Sequence, residues 1–232
     1  MLEQPKPDQM RALVDAILPH VVFDGWTDQA WSAALSDLNL SETNARAIAP
    51  RGALDLAVAY HRYGDEVMVE RASSENLAEL RYSDRVARLI ELRFEGADRE
   101  VVRRATALFA LPNHAAEGAA LIWGTADAIW TALGDTSDDL NWYSKRAILS
   151  GVYGSSVLFW LGDESGGDET RAFIARRIEN VMQFERAKAA TRKHPILKPF
   201  ASTMDRLFAS VKAPSDVTRD DLPGKWAPEE AK

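Results

Sequence analysis

Four histidines, His20, His61, His114 and His194, are scattered along the chain without clustering, and no cysteine accompanies them. Disulfides, thiolate metal sites and thiol catalysis are therefore excluded. His114 and Glu117 stand at the His-x-x-Glu spacing that lets two side chains on one helix face share a metal ion. A di-iron carboxylate site needs Glu-x-x-His twice, with further carboxylates from neighbouring helices, so this lone pair reads as structural. The acidic loop Asp163 to Glu169 lacks the ligand spacing of an EF-hand and reads as a solvated turn. No glycine-rich phosphate loop and no nucleophile elbow occurs. The expectation is a chain that is not an enzyme and has no metal or cofactor of its own.

The elements that would position any site are helical. Met10, Leu13, Val14, Ile17 and Leu18 follow i, i+3, i+4 spacing, with Pro19 expected to end or kink that helix. Similar stripes run through Tyr82, Val86, Leu89 and Ile90, through Val101, Val102, Ala105, Leu108 and Phe109, and through Phe173, Ile174, Ile178, Val181 and Met182. Ala119, Ile122, Trp123, Ala126, Ile129, Trp130 and Leu133 make the clearest one. Strand-like alternation is missing, so the fold class is all-α, with about nine or ten helices. The chain divides into residues 1–72, with short helices, 73–193, with longer and more apolar ones, and a proline-rich tail over 194–232. No long linker separates the first two, so a shared core is expected.

Within the first block, Thr27 to Asp37 reads as a helix, Asn39-Leu40 as a tight turn, and Ser41 as the cap of a second short helix to about Ala49. A third begins near Gly52 and carries Leu54, Leu56, Ala57, Val58 and Tyr60. That order resembles the helix-turn-helix of TetR-type regulators. A reading helix needs cations for phosphates and donors for base edges. Residues 1–60 hold four cations against eight anions, and only Arg46 and Arg51 could serve the second helix. The whole chain carries a net charge of −7. A degenerate helix-turn-helix without nucleic acid as a partner is the expectation, with a TetR-type, ligand-responsive transcription regulator as the alternative.

The run Gly134-Asp135-Thr136-Ser137-Asp138-Asp139-Leu140-Asn141-Trp142-Tyr143-Ser144-Lys145-Arg146-Ala147-Ile148-Leu149 leads into Gly151-Val152-Tyr153-Gly154-Ser155-Ser156. Together with Arg171-Ala172-Phe173-Ile174 and Arg177-Ile178-Glu179-Asn180-Val181-Met182, it resembles the coenzyme Q (ubiquinone) biosynthesis accessory family, whose namesake is the ninth Coq protein. The resemblance is strong over about 134–186, a matter of pattern over about 24–70, and does not reach past Lys193. It implies a TetR-like homodimer formed through the last two long helices, without DNA binding. It also implies binding of isoprenoid lipids, including quinone precursors, and their presentation to the demethoxyubiquinone hydroxylase, a di-iron enzyme at the membrane surface. In relatives the Trp-Tyr pair belongs to the patch that contacts that hydroxylase. Here this carries over to Trp142 and Tyr143, with Asp139, Leu140 and Asn141 around them. Read from the residues alone, adjacent aromatics in the first turns of a helix point about 100° apart and can hardly both be fully buried beside Asp138, Lys145 and Arg146. Exposed aromatic pairs make interface hot spots; packing on the preceding helix is the competing reading.

A polyprenyl ligand needs an apolar cavity. Its candidate walls are the helix of Ile122, Trp123, Ala126 and Trp130 and the uncharged run Ala147 to Gly162, with Leu149 and Val152 among the candidate lining residues. That run is apolar on nearly every face and so should be buried all round. Its Gly151, Gly154, Ser155 and Ser156 permit either close contact at a dimer seam or room for a chain. At 16 residues it is shorter than the ~20 a spanning helix needs, so no transmembrane helix is expected. In the tail, Ile196, Phe200, Leu207 and Phe208 share one face, with Lys193, Lys198, Arg206 and Lys212 elsewhere around it. This amphipathic segment suits a membrane surface, or folds back on the body. The start, Met1 to Asp8, has neither the apolar core of a signal peptide nor the Arg-rich character of a transit peptide. The expected location is a bacterial cytoplasm, with peripheral attachment to the cytoplasmic face of the inner membrane.

Overall fold

The computed structural model describes residues 7–137 and 140–192. Among these residues there are nine α-helices and no strand: α1 (Pro7–Asp24), α2 (Asp28–Asp37), α3 (Glu42–Ile48), α4 (Ala53–Ser74), α5 (Tyr82–Glu95), α6 (Arg99–Phe109), α7 (Ala115–Ala132), α8 (Leu140–Leu161) and α9 (Asp168–Arg192). Local chemistry explains where several begin. The Thr27 hydroxyl accepts from the Ala30 amide at 3.3 Å, and the Ser41 hydroxyl from the Asn44 amide at 3.4 Å. The Asp98 carboxylate accepts from the amides of Glu100 and Val101 at 2.8 and 3.1 Å. Each satisfies donors that the first turn leaves unpaired. Between α3 and α4 the chain reverses at Gly52, whose φ of 62° lies in the left-handed region open to glycine. The expected helix-turn-helix order is thus present as α2, α3 and the start of α4.

Pro19 does not end α1, which continues to Asp24. Ile17 and Val21, on either side of it, are both fully buried. Burial of that stripe against α2 and α4 outweighs the one amide bond the proline removes.

The apolar residues form two clusters and not a single shared core. One gathers Leu13, Ile17, Trp31, Leu35, Ala45 and Leu56 from α1 to α4, closed by Val101 of α6. The other gathers Met68, Leu89, Ile90, Ile129, Tyr153, Trp160 and Ile174 from α4, α5 and α7 to α9. Helix α4 belongs to both, and the sequence division at residues 72 and 73 falls in its last turn. Helices α8 and α9 pack through stacked rings of Phe159 and Phe173, 4.4 Å apart, with the Arg177 guanidinium over Phe173.

Two expectations need correction. Helix α8 is not buried all round, because Leu158 is 64% exposed. An even spread of apolar side chains hides which face lies outward. The loop before α9 is not simply a solvated turn either, because Asp163 is 3% exposed. Its carboxylate accepts from the Ser165 hydroxyl and amide at 2.5 and 2.7 Å and from the Thr170 amide at 3.0 Å, with the Thr170 hydroxyl as a fourth donor. The Ser165 and Thr170 hydroxyls hold that carboxyl well below the usual carboxylate range. Asp163 therefore anchors the start of α9.

Among the described residues no helix is long and apolar enough to cross a membrane.

Candidate functional site

Between the two clusters lies a cavity of about 390 Å³. Helix α4 contributes Tyr60 and His61, α5 contributes Arg93 and Phe94, and α6 contributes Val102, Ala105 and Phe109. Helix α7 lends Gly118, Leu121 and Ile122, and α8 lends Tyr153, Gly154, Val157, Leu158 and Trp160. Small residues make the space. A Cβ on Gly118 would come within 2.7 Å of the Phe109 Cβ, so α6 and α7 approach at the limit of contact there. One wall is aromatic, with Phe94 stacked on Trp160 at 5.0 Å and on Tyr153 at 6.0 Å. The outer rim carries exposed Ala110, Ala115, Ala119 and Leu158. Arg93, Tyr153 and Trp160, which also line the cavity, are buried.

The buried side is where polarity collects. Arg93 Nε donates to Asp65 Oδ1 at 2.8 Å, and its Nη2 donates to the His61 carbonyl at 2.9 Å. The Thr125 hydroxyl, fully buried, donates to Asp65 Oδ1 at 2.9 Å and lies 2.9 Å from His61 Nε2. Gly64 gives the guanidinium its seat, since a Cβ there would lie 2.4 Å from Arg93 Cζ. Burial, reinforced by the Arg93 charge, brings the His61 imidazole down to about 3, so it is neutral. Burial pushes the Asp65 carboxyl up even with Arg93 beside it, and likewise raises the Tyr153 phenol. The polar end thus combines one ion pair with one neutral imidazole.

A second cluster sits where α7 meets the start of α8. Trp142 and Tyr143 meet edge to face at 4.8 Å, and both pack on Trp123 of α7, at 6.0 and 6.5 Å. The Arg146 guanidinium stacks 3.8 Å above the Trp142 ring. Arg146 is itself buried and held by Asp127 at 2.5 Å and Asp135 at 3.2 Å, while Lys145 holds Asp135 at 2.6 Å. Burial opposes ionisation of Asp135, but hydrogen bonds from Lys145, Ser137 and Arg146 bring its carboxyl below the usual range. This network fixes the aromatic pair on a rigid support, with both rings half-buried.

The predicted residues fall in several places. Of those expected to line a lipid cavity, Ile122 does so. Trp123 belongs to the Trp142–Tyr143 cluster instead. Ala126, Leu149 and Val152 lie in the second apolar cluster, and Trp130 packs against it, near Tyr82 and Lys145. Asn141 is exposed on α8 beside Trp142. Asp139 lies outside the described residues, as do Ile196, Phe200, Leu207 and Phe208, and Leu140 is described only as the first residue of α8. Tyr60, His61, Asp65, Arg93 and Thr125 are site residues that the sequence reading missed.

In the helix-turn-helix, both candidate cations are engaged internally. Arg46 Nε donates to Glu42 at 2.7 Å, and Glu42 also accepts from the Trp31 indole at 2.9 Å. Arg51 makes a two-pronged pair with Glu117 of α7, at 2.9 and 3.0 Å, and donates to Asp55 at 2.7 Å. Glu117, half of the sequence's single metal-like pair, is therefore an ion-pair partner that ties α7 to the start of α4.

The fold is similar to that of the TetR transcriptional regulator from Nitrosomonas europaea, with a TM-score of 0.60 at 20% identity, over 74% of this chain and 97% of that one. In sequence the chain is 28% identical over 179 residues to the mitochondrial ubiquinone biosynthesis protein COQ9 of Rattus norvegicus. It is 29% identical over 186 residues to that of Schizosaccharomyces pombe. The first match covers 73% of this chain and 57% of the rat protein, the second 77% and 72%. The chain thus spans little more than half the length of the rat relative. The COQ9 family model matches residues 115–185, from the start of α7 into α9. That stretch contains the Trp142–Tyr143 cluster, its Arg146 support and the α8 wall of the cavity, and over it the chain is similar to the COQ9 family.

Proposed function

We propose that this protein is a non-catalytic lipid-binding accessory protein of ubiquinone biosynthesis. It takes a polyprenyl quinone intermediate into the cavity between α4 and α8 and presents it to the membrane-associated demethoxyubiquinone hydroxylase through Trp142 and Tyr143. It works as a homodimer paired through α8 and α9, at the cytoplasmic face of a bacterial inner membrane, with the amphipathic segment after Lys193 resting on the lipid. The observation that carries the reading is the mostly apolar cavity of about 390 Å³ with exposed Leu158 at its rim. A chamber of that size suits a small hydrophobic ligand. The names of the curated relatives point to the same pathway. Internal pairing of Arg46 and Arg51 speaks against the regulator alternative, since neither guanidinium is free for phosphate without breaking an ion pair.

Extraction of the purified protein followed by mass spectrometry tests the cargo. A co-purifying polyprenyl phenol or quinone is expected, and recovery of only phospholipid or of no lipid would overturn the reading. The delivery face is tested by Trp142→Ala. Losing a half-buried indole under a buried arginine should cost no more than about 2 kcal/mol of stability, yet weaken hydroxylase capture at least tenfold, as for an interface hot spot. An unchanged Kd for the hydroxylase, read by capture below saturation, would remove Trp142 from the interface.

A further inference from the structure

The polar end of the cavity has a composition that selects a ligand class. Arg93 is 4% exposed on its side chain, yet its hydrogen bonds to Asp65 and to the His61 carbonyl leave its other N–H groups without an acceptor among the described residues. A guanidinium has five N–H donors and no acceptor, so a buried one facing a cavity invites an oxygen from whatever enters. Its charge, however, is already balanced by Asp65, and His61 adds none. An incoming carboxylate or phosphate would bring an uncompensated charge into a dry site, whereas a neutral oxygen brings only a dipole. His61 and Tyr153 line the same cavity, and Tyr153 is buried whereas the lining alanines Ala110, Ala115 and Ala119 and Leu158 are exposed.

We propose that Arg93, with His61 and Tyr153 beside it, forms a recognition site for a neutral ring oxygen, a phenol hydroxyl or a quinone carbonyl. The ring enters first and its chain leaves past Leu158. Asp65 and Thr125 are positioning residues that hold the guanidinium and the imidazole. This assignment rests on the carrier reading and adds to it the part of the cargo that is read.

Three probes that differ only at one ring position test it on the full chain by isothermal titration: para-hexylphenol, hexylbenzene and para-hexylbenzoate. The phenol should bind at least tenfold more tightly than hexylbenzene, and the benzoate more weakly than the phenol. In the double variant Arg93→Met with Asp65→Leu, which removes both charges together, the phenol's advantage should fall to less than threefold while hexylbenzene binds as before. Equal wild-type affinities for phenol and hexylbenzene would overturn the recognition site and leave the carrier reading standing. Tightest binding of the benzoate would overturn it in favour of an anion site. Binding of none of the three would remove the carrier reading as well. The wild-type comparison needs no variant, so misfolding of the double variant cannot shield the proposal.

Discussion

Arg93→Met is expected to destabilise the fold by about 3–5 kcal/mol, the range for removing one partner of a buried ion pair. Methionine fills the aliphatic path of arginine, so packing on α4 is largely kept. What is lost is the partner of Asp65, whose side chain is 14% exposed. Its remaining donor, the Thr125 hydroxyl, cannot balance a charge. The penalty should depend on pH in a definite direction. Burial already raises the Asp65 carboxyl above its unfolded value, so the folded state holds its proton more tightly than the unfolded chain. A group of that kind loses stability as pH rises, and the variant should therefore recover part of its loss on acidification. Adding Asp65→Leu should restore most of it, because an apolar replacement of both ions is often neutral. Urea midpoints of the single and double variants measure all three outcomes. A single-variant loss below about 1 kcal/mol would show that the pair contributes no more than an exposed one.

The wild-type protein should itself weaken on mild acidification, through His61. Its imidazole is held near 3 when folded and returns to about 6.5 in the unfolded chain. The unfolded state therefore binds the extra proton between those values, so stability is full above about pH 6.5 and declines below it. At about 1.4 kcal/mol per pH unit, the loss reaches about 2 kcal/mol at pH 5 and on the order of 4 kcal/mol if followed toward the folded value. Carboxylates titrate mostly below that first window, which separates the two effects. His61→Gln cannot charge, so the drop in urea midpoint between about pH 7.5 and 5 should shrink by more than half. An undiminished drop in the variant would place the acid sensitivity elsewhere.

Much of the scaffold was legible because the signals are local. Ser41 caps the helix it was expected to cap, α2 starts within a residue of the expected Thr27, and the apolar stripe of α5 points inward at Val86, Leu89 and Ile90. The polar end of the cavity was not legible, since it is assembled from α4, α5 and α7 and has no spacing of its own. One clue was available: Arg93 follows Leu89 and Ile90 at i+4 and i+3, on the buried face of α5. A charge in step with an apolar stripe signals a buried partner. The wall contributed by α8 was hidden for a different reason. With apolar residues at nearly every position, periodicity could not choose between Leu149 and Val152 and the face of Tyr153, Val157 and Trp160 that meets the cavity. Trp123 resisted assignment because its neighbours, Trp142 and Tyr143, lie on the next helix.

If the chamber between α4 and α8 takes the ring of a polyprenyl lipid, as proposed, its modest size sets the energetics of loading. At about 0.8 kcal/mol per methylene, each isoprene unit drawn through water costs on the order of 3–4 kcal/mol. Some 390 Å³ accommodates a ring and the first links of a chain, so a protein that swallowed the whole tail would have to be built differently. With only the ring taken inside, the remaining hydrocarbon need never leave the bilayer, and the steep cost of complete withdrawal does not arise. Chain length then becomes a property the lipid phase feels and this protein does not.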